Sequence, residues 1–598
     1  MSADHETGRT RRGAEAGPGD EQAPSSAVEP AHGPPTPPVA DPCAVYPEMR
    51  GIDCEAFRLS PQGLSPEQRA EALRQLYEHE SRQKATFLGY QNNLRPRYAE
   101  DLGRFLDYHL NNIGDPFRGS RVTTNVKWIE RAVLDYYAAL WGARWPHDRL
   151  DGESYWGFVL TMGSTEGNLY SLWSGRDYLA GRCLLEEPEA ERDVSRADGS
   201  GERRAASQRL VYAQAPAPAE SPNAYAPLAF YSEDTHYSIV KAVQALDIRT
   251  FYEIGATRYP NDNPLAPGRP WPREVPSVGG PGGPGVIDIA ALARLVEFFA
   301  SKGHPILVCF NYGTTFKGAY DDVEEAGNVL LPILRRYGLD ERKVHCDPRR
   351  PEKYDVRTGY WFHVDGALGA AYMPFLEMAY HSGKIAQRGP NFDFRLPFVH
   401  SIVMSGHKWI GAPWPCGVYM TRTKYLLRPP SVPEYIGSPD TTFAGSRNGL
   451  SAVVLWDNLA RRSYEDLVGQ ALYTESIAAY AHRRLLELQA RLGQDLWVAR
   501  APLSLAIRFK AVNPELEFKY TLAVETIYVE GEKRTYNHIY AMEHVTAELI
   551  DAFIEDLAQP GAFPEQETAV PPPPSDGSAP APRGRGLHVP HNGRGFRD

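Results

Sequence analysis

The sequence predicts an α/β protein, a largely parallel sheet covered by helices on both faces and followed by a smaller C-terminal α+β domain. Short apolar runs alternate with amphipathic segments through the first two thirds of the chain, an order that places crossover helices between parallel strands. From about Ser431 the pattern changes to helices plus two strands, Leu503–Phe509 and Lys519–Val529. In chain order, Val126, Ile129, Val133, Tyr137 and Leu140 fall at helical spacing, with Gly142 as a C-cap. Phe158–Met162 reads as a strand, followed by a helix through Leu169, Leu172, Trp173 and Leu179. Leu228–Tyr231, Pro305–Phe310, Tyr360–Val364 and Ser401–Met404 read as further strands, with helices over Tyr237–Leu246 and Asp322–Tyr337.

The domain reading is a disordered Pro/Gly-rich segment over 1–57, an N-terminal helical segment over 58–115, a large domain over 116–430, a small domain over 431–557 and a disordered tail over 558–598. The two ends are dense in Pro, Gly, Ala, Glu and Ser and hold too little apolar surface to offset chain entropy. Within the large domain, 185–208 (charged, aperiodic) and 258–286 (rich in turn formers) read as surface insertions.

Of the 598 residues, 42% are hydrophobic and 11% aromatic, enough for a large core, so a wholly disordered chain is excluded. The net charge of −11 argues against a nucleic-acid binder relying on bulk positive charge. No apolar run approaches the ~18 residues of a spanning helix, and the N-terminus lacks the apolar stretch of a secretory signal. The six cysteines are scattered without a CxxC pair, which points to reduced thiols in the cytoplasm and, with no ligand spacing among the histidines, to no metal site.

Five motifs carry chemistry, each at the carboxyl end of a predicted strand. Ser405-Gly406-His407-Lys408-Trp409 follows SIVM. A lysine there is costly to bury unless its amine is used, as in a Schiff base, or unless its stem lies on apolar surface and its ammonium reaches water. Trp361-Phe362-His363-Val364-Asp365-Gly366-Ala367 ends another strand with an acid, suited either to a pyridinium nitrogen or to capping a helix; Gly366 and Ala367 leave room there for a flat ring. Gly163-Ser164-Thr165-Glu166-Gly167-Asn168 forms a strand-to-helix turn of the kind that cups a phosphate. Asp234-Thr235-His236 offers a histidine that can stack on a ring or be structural, and Gly313-Thr314-Thr315 brings hydroxyls to a strand end where ligands of open α/β sheets collect.

With LNNIGDPF, YSEDTHYSIVK, NYGTTFKGAYDD, HVDGALGA, SGHKWIGAPWPCG and EYIGSPDTTFAGSRNG in this order, the chain resembles the group II pyridoxal-phosphate-dependent amino acid decarboxylases. Within them it is similar to bacterial histidine decarboxylases and to the valine decarboxylases of actinomycete secondary metabolism. The resemblance implies a PLP-dependent transferase-like large domain (fold type I) in a homodimer with active sites at the interface, and pyridoxal 5'-phosphate as cofactor. It implies that Lys408 carries the cofactor, Asp365 holds the ring nitrogen, His236 stacks on the ring and Ala367 packs on its other face. Ser164, Thr165, Ser405 and His407 would hold the phosphate, Thr314 or Thr315 would lie near the cofactor, and Tyr435 would act from a loop after the lysine. Where compact histidine decarboxylases usually show a cysteine, this chain has Ile113. An apolar residue there favours L-valine as substrate over L-histidine, whose imidazole needs polar partners. A non-catalytic scaffold on the same fold is the reading of another class, disfavoured because Lys408 and Asp365 are both present.

Overall fold

The computed structural model describes residues 49–186, 210–347, 349–426 and 433–564. The expectations for residues 1–48 and 565–598, and for most of the 185–208 stretch, lie outside the described residues. The chain divides into two compact units, one up to Arg82 and one from Gln83 onward. The first carries most of the helix Pro66–Ala85. Ser65 and Gln68 start it reciprocally: the Ser65 hydroxyl accepts from the Gln68 amide (3.2 Å) and the Gln68 side chain accepts from the Ser65 amide (2.9 Å). The helical segment expected over 58–115 stops at Ala85 and resumes only in the short turns Ala99–Leu102 and Gly103–Asp107. Pro96 and the Asn111–Pro116 run deny the backbone its helical donors and offer it turn chemistry instead.

The second unit is built on a seven-stranded sheet of β1 (Tyr155–Leu160), β2 (Leu228–Phe230), β3 (Arg249–Thr250), β4 (Ile306–Asn311), β5 (Tyr360–Asp365), β6 (Ser401–Ser405) and β7 (Gly417–Arg422), in the order β1-β7-β6-β5-β4-β2-β3. The ladder from β6 through β5, β4 and β2 to β3 is parallel, and β7 is antiparallel to β6 and to β1. The strands β1, β2, β4, β5 and β6 therefore all end on one edge. Helices α1 (Lys127–Leu140), α2 (Ser164–Leu179), α3 (Tyr237–Ala245), α4 (Ile289–Ala300), α5 (Val323–Arg336) and α6 (Gly369–His381) cover the two faces. Alternation along β4 shows the two cores: Ile306, Val308 and Phe310 pack with α4 and α5, while Leu307 and Cys309 pack with α2 and α3. The expected C-cap of α1 is present, with Gly142 at φ +63° and Ala143 N–H bonded to Ala138 O at 2.9 Å.

Two long helices, α7 (Gly449–Ala460) and α8 (Tyr464–Leu492), lead to a three-stranded antiparallel sheet of β8 (Ala506–Lys510), β9 (Ala523–Val529) and β10 (Glu532–Tyr540), with α9 (Pro514–Tyr520) and α10 (Ala547–Leu557) against it. The strand expected from Lys519 begins at Ala523, because Lys519 and Tyr520 complete α9. A buried ion pair joins this half to the first: Arg447 pairs with Glu130 and donates to Asn112 O (2.6 Å) and Gly114 O (3.1 Å), and Glu130 accepts from the Val159 amide (2.9 Å).

Two expectations are corrected. The 258–286 stretch is no surface excursion: Trp271 and Val275 are core residues, and Val275 exchanges backbone bonds with Tyr231 and Glu233 (2.9 and 3.1 Å). Its prolines and glycines shape turns around apolar anchors. Cys183 and Cys346, 163 residues apart, are paired as a disulfide, a partnership that the scattered spacing did not suggest and only the fold brings about. Cys54, Cys309 and Cys416 are free. No helix among the described residues is long and apolar enough to cross a membrane.

Candidate active site

The five motifs meet at the carboxyl edge of the sheet. Glu166, in the first turn of α2, accepts from the amides of Thr161 and Met162 (2.7 and 3.0 Å), which ends β1 two residues earlier than the apolar run suggests. Gly163 at φ +67° then turns the chain into α2. A Cβ on Gly163 would lie 2.6 Å from His407 Cε1, so the bare glycine is what lets the turn after β1 approach the turn after β6. The Ser164 amide donates to Ser405 Oγ (3.1 Å), and Ser405 Oγ donates to Ser164 Oγ (2.9 Å). Ser164, Ser405, His407 and the N-terminus of α2, with Thr165 half-buried in its first turn, thus form a single cup rich in donors.

Asp365 ends β5, opposite Asn311 of β4 and Val403 of β6 in register. Its Oδ1 accepts from the Ala367 amide (3.2 Å) and its Oδ2 from Asn168 Nδ2 (2.8 Å). Ala367 returns its carbonyl to the Ser405 amide (3.0 Å) and stays half-exposed. The room left by Gly366 is taken by protein, contrary to expectation: a Cβ there would lie 2.5 Å from Ala370 Cβ and 3.0 Å from Val403 O. Lys408 sits in a tight turn, 406–410, whose helical course it breaks at φ −91°, ψ −106°. Burial pulls its ammonium down to about 8 despite the opposing field of Asp365. His236, the N-cap of α3, is likewise held below its usual value by burial, with Asp365 opposing and Lys408 reinforcing the shift. These shared influences put lysine, aspartate and histidine in one crevice. His407 is lowered to about 4 by burial and by Lys408.

The two threonines separate. Thr314 is buried and its hydroxyl accepts from the Ala319 amide (2.9 Å), closing the loop, whereas the Thr315 side chain is exposed. Tyr435 is not brought to the crevice; it stands 73% exposed on the turn after Pro433.

The donor cup, the strand-end carboxylate and a lysine amine poised near neutrality fit a phosphorylated aldehyde whose ring carries a basic nitrogen. The pyridoxal-dependent decarboxylase conserved domain matches residues 283–447. The structure of L-methionine decarboxylase from Streptomyces sp. 590 superposes with a TM-score of 0.76 at 44% identity, covering 85% of this chain and 98% of that one. The chain belongs to the group II pyridoxal-phosphate-dependent amino acid decarboxylases. Its cofactor is pyridoxal 5'-phosphate, and its large domain is of fold type I. The histidine decarboxylase of Solanum lycopersicum is 28% identical over 489 residues, 81% of this chain and 88% of that protein. Serine decarboxylase 2 of Oryza sativa subsp. japonica is 26% identical over 483 residues, 81% of this chain and 76% of that protein.

Several residues that build this decarboxylase's crevice were not singled out from sequence. The Asn93 amide donates to Lys408 O (3.0 Å) and its side chain to Trp409 O (3.0 Å), so a residue 315 positions upstream holds the lysine turn. Asn311 donates to Ser232 and Thr235 hydroxyls (3.0 and 3.1 Å), fastening the segment that bears His236 to the end of β4. Asp321 accepts from the Ile287 and Asn311 amides (2.8 and 2.6 Å), and burial raises it to about 7. Over the Thr314–Thr315 loop, Tyr540 donates to Thr315 O (2.6 Å) and accepts from Gln91 (2.7 Å), while His538 reaches Gly89 O (2.9 Å). The available signal was a polar residue inside an apolar setting, as with His363 in WFHVD.

Proposed function

We propose that this decarboxylase acts on a free L-amino acid with an apolar aliphatic side chain, L-methionine and L-valine being the candidates. The observation that carries the reading is the 44% identity to an enzyme named for L-methionine across 98% of its chain, against 26–28% for the histidine and serine enzymes. The burial of Ile113 among core residues supports an apolar neighbourhood around its segment. Differences of one or two methylenes discriminate only about 10–200-fold, so related aliphatic substrates should be turned over more slowly rather than refused. The test is kcat/KM for L-methionine, L-valine, L-histidine and L-serine on one preparation. A preference of more than tenfold for either aliphatic substrate over histidine and serine is expected; a preference for histidine or serine overturns the substrate reading.

In this reading Ser164, Thr165, Ser405 and His407 hold the cofactor phosphate, Asp365 its ring nitrogen, and His236 and Ala367 its two faces, with Lys408 as the attachment point and Thr314 beside it. The bound cofactor supplies a sink for the electron pair released with CO₂. Asp365 keeps a proton on the ring nitrogen; Lys408, near neutrality, takes up and gives back protons as the substrate amine enters and the product amine leaves. Tyr435 delivers the proton to the substrate α-carbon, and because it is exposed on its own chain it does so in a second copy, in a homodimer. Mixing Lys408→Ala with Tyr435→Phe chains tests this: mixed dimers recover activity only if the tyrosine acts across the interface. Absence of recovery, with each variant inactive alone, overturns the crossed arrangement.

A further inference from the structure

Behind Asp365 lies a chain of buried polar groups inside the core between β5, β6 and α2. Trp361 Nε1 donates to Ser171 Oγ (3.2 Å), Ser171 and Ser401 hydroxyls meet at 2.7 Å, and Ser401 Oγ meets His363 Nδ1 at 2.9 Å. His363 Nε2 meets Asn168 Oδ1 at 2.9 Å, and Asn168 Nδ2 reaches both Asp365 Oδ2 (2.8 Å) and Ser238 Oγ (3.0 Å). Ser238 Oγ in turn meets His236 Nδ1 at 2.8 Å.

The direction of every bond in this chain is determined. The indole N–H can only donate and a carboxylate can only accept, so the two ends have fixed polarity. From Asp365 outward, the facing Asn168 atom must be its NH₂; Oδ1 then accepts, so His363 Nε2 carries the proton and Nδ1 accepts from Ser401. Ser401, its proton committed to His363, must then accept from Ser171, whose oxygen also takes the indole proton of Trp361. The indole end is compatible with this direction. Burial, which holds His363 near 4, keeps the ring neutral and so able to accept at one nitrogen while donating at the other. The second Asn168 hydrogen goes to Ser238, whose own hydroxyl then donates to His236 Nδ1; the Ser238 amide also donates there (3.3 Å), which leaves the His236 proton on Nε2.

We propose that His363 and Asn168 are positioning residues, a one-way hydrogen-bond relay that fixes the orientation of the Asp365 carboxylate and the tautomer of His236. The inference rests on the cofactor role assigned to Asp365 above. With one oxygen held by Asn168 and the other by the Ala367 amide, the carboxylate cannot rotate without breaking a charge-assisted bond.

The test titrates cofactor-free protein with pyridoxal 5'-phosphate. His363→Leu should weaken binding about tenfold or more and shift the absorption maximum of the bound cofactor. His363→Gln, which keeps a donor near the Nε2 position, should stay within about threefold of the parent. In an Asp365→Asn background, His363→Leu should change affinity by less than about twofold, because the relay no longer ends on a carboxylate. A purely structural role predicts the same loss in both backgrounds, and that result overturns the relay, as does an unchanged affinity in His363→Leu. If His363→Leu yields no folded protein, Ser401→Ala enters the same cycle with the same criteria. Asp365→Asn impaired while His363→Leu is normal overturns the relay alone; Asp365→Asn normal in binding and turnover overturns the role of Asp365 and the relay with it. Nitrogen NMR of histidine-labelled protein should report His363 and His236 as Nε2–H, and an Nδ1–H signal for either overturns the assignment.

Discussion

Lys408 is worth burying because a neutral amine is a nucleophile and an ammonium is not. Its lowered value of about 8 sets a pH dependence for cofactor capture. Below that pH the amine is protonated and slow; as pH rises through about 8 it loses the proton, so the rate of cofactor recombination should climb and then level off. A rate independent of pH between 6 and 9 would count against this. Lys408→Ala should abolish turnover and the absorbance of covalently held cofactor together. Asp365→Asn should retain some cofactor but lose more than tenfold in rate, about 1.4 kcal/mol of barrier, since a neutral amide cannot stabilise a pyridinium charge as a carboxylate does. Stopped-flow and steady-state assays on the two variants check both outcomes. The lysine and aspartate were legible in the sequence because each is an electrostatic misfit at the end of an apolar run. Asn93 and Asn168 were not: an asparagine is unremarkable until the fold brings it to a carbonyl or carboxylate far away in sequence.

At the scale of elements, the joint between α2 and β6 depends on Gly163, and the Arg447–Glu130 pair locks α1 and β1 to the segment before α7. Gly163→Ala must hold φ +67° with ψ −167°, a region open essentially to glycine alone, at a cost of about 1–3 kcal/mol, and must displace His407, which lies 2.6 Å from the new methyl. Cofactor affinity should therefore fall about tenfold or more, read by titration, with little change in the far-UV circular dichroism. Arg447→Leu leaves Glu130 buried without its cation and should destabilise the protein by about 3–5 kcal/mol in urea unfolding. The sheet itself was well foreshadowed: β1, β4, β5 and β6 bury every residue and so read as continuous apolar runs. By contrast β7 is introduced by Pro-Trp-Pro-Cys-Gly and ends in Thr-Arg, and β10 opens on Glu-Lys-Arg-Thr, so neither shows an apolar run. Their pairing comes from neighbours rather than from their own pattern.

For the molecule as a whole, three histidines, His363 and His538 buried and His407 half-buried, are each depressed to about 4. A base with a depressed native pKa contributes stability that is present above its unfolded value of 6.5 and is lost as pH falls towards 4. Asp321, raised to about 7, acts oppositely, its contribution being lost as pH rises through that value. Unfolding of the cofactor-free protein between pH 6 and 5 should take up a net of about one and a half protons from these four groups, a loss of roughly 2 kcal/mol over that pH unit. Chemical denaturation at pH 6 and pH 5 measures it; equal stability at the two values would contradict the balance.

The closure over the Thr314–Thr315 loop has a consequence for how the protein is made. Gln91 and Tyr540, 449 residues apart, meet on the carbonyl of Thr315, and Gly89 is met by His538 in the same layer. A ribosome delivers Gln91 before the seven-stranded sheet and Tyr540 after it, so the whole sheet can emerge while the roof of that loop is still missing. A chain halted before β10 would carry every strand of the central sheet and most of the cofactor cup, yet present an open edge to the cell. Assembly of the catalytic end therefore waits for β10, which is translated after every strand of the central sheet.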